Sequence, residues 1–85
     1  MESKTITRLE VAIRNIENEI EWKTQRMEAL VREMKESVAK YDTYQIVNFV
    51  PGYIRQIEEL HNEVRKLEEQ KRILVWIEHK EEEDA

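Results

Sequence analysis

Apolar side chains recur at alternating steps of three and four along the first half of the chain. The positions are Ile6, Leu9, Ile13, Ile16, Ile20, Lys23, Met27, Leu30, Met34, Ser37 and Tyr41, and nine of the eleven are apolar or aromatic. A seam sustained for about five heptads is the signature of a helix wound against another helix. The second half repeats it at Ile46, Val50, Tyr53, Ile57, Leu60, Val64, Leu67, Lys71, Leu74 and Glu78, where eight of ten fit. The positions between are rich in Glu, Arg, Lys, Asn and Gln, all compatible with helix. Ser3 or Thr5 is suited to cap the first helix.

The break between the two seams is short. Asp42 followed by Gln45 has the spacing of a capping box, so one helix is expected to end near residue 40 and the next to start near 43. Asn48-Phe49-Val50-Pro51-Gly52 is a second interruption. Proline removes a helical hydrogen bond and disfavours helical backbone at the residue before it. Two routes fit these residues. A second helix starts at 43 and kinks at Pro51, or a short helix covers 43–49 and the long helix begins with Pro51 in its first turn. The second route is preferred. The expected fold is therefore all-α: an antiparallel, coiled-coil-like helical hairpin with a short connecting helix, dimerising into a four-helix bundle. Residues 1–78 form one unit (helix about 5–40, short helix or turn 42–50, helix about 51–80), and 79–85 form an acidic disordered tail.

Composition narrows the function classes. The chain of 85 residues has no Cys, one Gly and one Pro. That removes disulfides, thiolate zinc sites and cysteine nucleophiles, and leaves too little turn chemistry for a multi-stranded sheet. No apolar run approaches the length of a membrane span, and Met1-Glu2-Ser3-Lys4 leads into no signal-peptide core. Residues 1–77 hold 14 acids and 13 bases, whereas 78–85 hold five acids and Lys80, so the net charge of −5 belongs mainly to the end of the chain. The densest basic cluster, Arg65-Lys66 and Lys71-Arg72, is interrupted by Glu63, Glu68 and Glu69, so nucleic-acid binding is not expected. Nor is membrane-surface binding, because no basic face stands opposite an apolar one. Neither serine has a histidine near it in sequence, and a phosphate-cradling loop needs glycines that are missing. No enzyme activity and no cofactor is expected.

More apolar surface is present than a lone hairpin can bury. Ile73-Leu74-Val75-Trp76-Ile77 goes all the way round its helix. The turn end carries Tyr41, Tyr44, Ile46, Val47, Phe49, Val50, Tyr53 and Ile54. Val11, Trp22 and Ala29 form a weak stripe on the outer face of the first helix. Large apolar patches on small chains mark protein contacts. The expected interface set is Val11, Trp22, Ala29, Phe49, Tyr53, Ile73, Leu74, Val75, Trp76 and Ile77, with the two tryptophans as anchors. The expected partners are a second copy of the chain, as a homodimer or higher homo-oligomer, and a further protein.

One constellation points to metal chemistry. Glu58-x-x-His61 places two ligand types on one helical face, and Glu28 or Glu33 on the first helix is available as a further carboxylate. In this respect the chain resembles the encapsulated ferritins, two-helix hairpins that pair around a di-iron site. The resemblance covers the architecture and these few residues, and it implies a carboxylate and histidine site completed by a second hairpin. The main expectation is a non-enzymatic interaction protein, cytoplasmic in placement. Its alternatives are this metal-binding hairpin and a small regulator of a host protein encoded by a phage, virus or mobile element.

Overall fold

The structure is a computed structural model that describes the backbone of residues 4–84 and the side chains of residues 8–81. Helix α1 spans Lys4–Lys40 and helix α2 spans Thr43–Asp84. They pack side by side as an antiparallel hairpin, and the described residues contain no strand. The Cα trace measures 65 × 14 × 13 Å, the proportions of two helices in contact and nothing more. The expected caps at Ser3 or Thr5, and the seam side chain of Ile6, lie outside the described side chains.

Two residues, Tyr41 and Asp42, make the turn. The Tyr41 amide donates to the Ser37 carbonyl at 3.0 Å and closes α1. The Asp42 carbonyl accepts from the Ile46 amide at 3.0 Å and opens α2. Asp42 Oδ1 accepts from the Gln45 amide at 3.0 Å, and Gln45 Oε1 accepts from the Asp42 amide at 3.4 Å. This is the reciprocal capping box that the Asp-x-x-Gln spacing predicts. It satisfies two backbone donors that a bare helix start would leave without partners.

The preferred separate helix over 43–49 is not present: α2 runs unbroken from Thr43 through Pro51. Proline forfeits one bond to the carbonyl four residues back, which belongs to Val47. Val47 is exposed, so water can take up the acceptor that Pro51 leaves. Gly52 keeps a negative φ and is not used as a breaker.

The acidic end also differs from expectation, since α2 continues to Asp84 where a disordered tail over 79–85 is predicted. The expectation rests on acids at the negative C-terminal end of a helix dipole. The antiparallel register sets this end beside the start of α1. There the positive pole of α1 is near, and no acid in its own first turn offsets it. Glu78 and Glu81 extend the seam of α2 and are half-buried.

The core follows the heptads and is thin. Leu9, Ile13, Ile16, Ile20, Lys23, Met27, Leu30, Met34 and Ser37 are all half-buried or buried, as are all ten predicted seam positions of α2. Tyr41, the last position of the first seam, is the exception; it falls in the turn and is exposed. Full burial is reached by Leu30 at 2% exposure and Val64 at 7%. A single partner helix covers one stripe and leaves both edges of that stripe open.

Candidate interaction surface

The seam lysines hold the two helices in register. Lys23 Nζ reaches across from α1 and donates to Glu63 Oε1 at 2.6 Å, with Glu19 at 3.7 Å on its own helix. Lys71 Nζ reaches back from α2 to Glu17 at 3.0 Å. Each lysine occupies a seam position and ends on a carboxylate of the opposite helix. The two pairs lie on opposite flanks of the hairpin. The hydrogen bond to Glu63 holds the Lys23 ammonium above the ordinary lysine value, against the opposing effect of its burial, and the charges of Glu63 and Glu19 add to the rise. Arg72 pairs with Glu69 within α2.

The exposed apolar side chains fall into three groups. On the outer face of α1, Trp22 is 61% exposed and Val11 is exposed in the same stripe, whereas Ala29 is half-buried. Lys23 Nζ lies 5.6 Å from the centroid of the Trp22 ring, a cation–π arrangement that leaves the rest of the indole in solvent. Near the chain ends, Trp76 is also 61% exposed and Lys80 stands over its ring at 5.8 Å. Ile73 is exposed beside it, while Leu74, Val75 and Ile77 are half-buried. The five consecutive apolar residues are therefore divided between the seam and its open edges.

At the turn end, Phe49 and Tyr53 are half-buried in an edge-to-face series with Tyr41. The Tyr41–Phe49 centroids are 5.6 Å apart and the Phe49–Tyr53 centroids 6.1 Å. Quadrupolar contacts of this kind favour edge-on packing. Around them Tyr44, at 81% exposure, and Val38, Val47 and Ile54 face solvent. Val38 is an apolar surface residue that the sequence reading does not single out. It stands alone in Glu-Ser-Val-Ala-Lys, and its significance appears only when α2 is placed beside it. A signal was available in the seven-residue spacing from Val31 to Val38, parallel to the seam.

Glu58 and His61 are exposed on α2, and Glu28 and Glu33 are exposed on α1. Among the described residues, no three His, Asp or Glu side chains converge on a point where an ion could sit. Also among the described residues, no helix is long and apolar enough to cross a membrane.

Fold and surface together define a class: an antiparallel two-helix hairpin with a heptad seam and unpartnered apolar edges. Compared with protein-family models, curated proteins and solved structures, the chain matches none.

Proposed function

We propose that this chain is a non-enzymatic, self-associating helical hairpin that acts through protein–protein contact in a structural, adapter or scaffold role. The mismatch between core and surface carries the reading. Leu30 and Val64 are the buried core, while nine large apolar or aromatic side chains are exposed among the described residues. The chain exposes 6822 Å². A compact monomer of this mass exposes roughly 5,400 Å². The surplus of about 1,400 Å² exceeds the ~800 Å² that each partner contributes to a standard interface. Elongation creates that surplus, and side-by-side association removes it. Light scattering at micromolar concentration is expected to return a multiple of 10.4 kDa. A monomer at every concentration would sink the reading.

Trp22 favours a second contact. It lies on the outer face of α1, turned away from the seam, where an exposed indole flanked by Asn15, Asn18 and Gln25 suits a further protein partner. Capture of a partner that is lost with Trp22→Ala while the oligomer persists would support this contact. Capture unchanged by Trp22→Ala would remove Trp22 as the anchor.

A further inference from the structure

Resting on the reading of a self-associating hairpin, we propose that the second copy docks on one particular flank, with both turns at the same end. The flank is the one that carries the Glu17–Lys71 pair. At about 100° per residue, Val31 and Val38 on α1, and Val47 and Ile54 on α2, all stand roughly 70–90° from the local seam toward that side. Val38, Val47 and Ile54 are exposed and Val31 is half-buried. An open groove lined by Thr24, Met27, Glu28, Val31, Arg32 and Ile57 runs between the helices here, so side chains from both helices share one surface. On the opposite flank of the same half, the corresponding positions are Arg26, Glu33, Lys40, Phe49 and Gln56; Phe49 is half-buried between Tyr41 and Tyr53, and the other four are exposed and polar.

A second copy matches this flank because the register repeats between copies. The ion pairs put Lys23 level with Glu63 and Glu17 level with Lys71. A two-fold axis along the length of the hairpin lays α1 of one copy antiparallel to α2 of the other. Val31 then comes level with Ile54 of the second copy and Val38 with Val47, each within about two residues. The axis makes both contacts twice, as an isologous interface requires. Toward the chain ends, Glu17 of one copy comes level with both Lys71 and Glu68 of the other, so Lys71, at the seam beside them, is the cation that offsets the two carboxylates across the same interface. A two-fold perpendicular to the long axis, at full overlap, would set Val31 and Val38 against the stretch that holds Glu10 and Glu17. The side-by-side arrangement runs the whole length of both helices, which supplies the area that a stable dimer needs and that the turn half alone does not.

The chain has no cysteine, so introduced thiols report on the pairing. Chains carrying Val38→Cys and chains carrying Val47→Cys, mixed and oxidised, are expected to form the crossed disulfide, whereas Val38→Cys alone is not expected to link to itself. A crossed link between Val31→Cys and Val38→Cys chains in its place would overturn the orientation. The double variant Val38→Lys with Ile54→Lys is expected to fall to 10.4 kDa with unchanged helix content, and Ile73→Lys on the other flank to leave the assembly intact. An assembly broken by Ile73→Lys and untouched by the double variant would overturn the choice of flank and leave self-association standing. A wild-type chain that stays monomeric would overturn both.

Discussion

Lys23 Nζ donates to Glu63 Oε1 at 2.6 Å and thereby fixes which residue of α2 faces the middle of α1. The lysine occupies a heptad position that an apolar residue would fill more comfortably. Polar groups at such positions specify register at a cost in stability. Lys71, bound to Glu17 at 3.0 Å, does the same from the opposite helix and on the opposite flank. A slip by one heptad would break both pairs at once.

The Lys23 pair has a pH signature. Its folded-state value is raised above 10.5, chiefly by the Glu63 hydrogen bond. The stabilisation from this shift is present in full below pH 10.5 and is lost as pH rises through the folded-state value. Thermal melts of wild type and Lys23→Met, compared below and above pH 10.5, are expected to show the wild type losing Tm relative to the variant on the alkaline side. A constant difference across that range would contradict the assignment.

Leu30 is the most deeply buried side chain of the thin core. Leu30→Ala is expected to cost about 2–4 kcal/mol. In a hairpin of this size that removes most of the cooperative transition. Tyr44→Ala, at a side chain 81% exposed, is expected to change monomer stability by less than about 0.5 kcal/mol. Urea unfolding followed by circular dichroism separates the two.

Asp42 caps α2 and closes the turn through its exchange of hydrogen bonds with Gln45. Asp42→Ala is expected to cost about 1 kcal/mol. For a domain of this length that lowers Tm by roughly 4–8 °C. Asp42→Asn, which retains an acceptor oxygen, is expected to recover most of the loss.

Pro51 lies inside α2 and is exposed, so its replacement removes no core packing. Pro51→Ala restores the amide that can bond to the Val47 carbonyl. The variant is expected to be more stable by about 1–3 kcal/mol, the scale of a proline inside a helix. A lower Tm would mean that the proline holds a backbone angle the hairpin needs.

The seam could be read residue by residue because heptad periodicity depends only on local helical geometry. Leu9 through Ser37 and Ile46 through Glu78 lie along the contact, as their spacing predicts. The Asp42–Gln45 box was equally legible, since all its atoms lie within four residues. Two features were not legible, for one shared reason. Whether Pro51 breaks a helix, and whether the acids after Glu78 fray it, depends on what lies beside those residues. An exposed Val47 and the neighbouring start of α1 are facts of the pair and not of either segment. The same holds for the surface. Val11, Trp22, Ile73 and Trp76 stand out by type and are exposed, while Leu74, Val75, Ile77, Phe49 and Tyr53 are half-buried along the seam and in the aromatic series. Val38 gains meaning only from Val47 and Ile54 across the hairpin.

The two-residue turn makes the closed hairpin one of two ways to satisfy the same seam. Neither Tyr41 nor Asp42 has a positive φ, so both can adopt helical backbone, and that change would join α1 and α2 into one rod. About 80 helical residues would span roughly 120 Å. Two such rods laid antiparallel would rebuild between chains every α1–α2 contact that one chain now makes within itself. Exchange of halves between copies is a low-cost route to a dimer when a hinge is this short. The choice between the forms then rests on protein concentration and on the Asp42–Gln45 box. Dilution favours the closed form, and loss of the cap favours exchange.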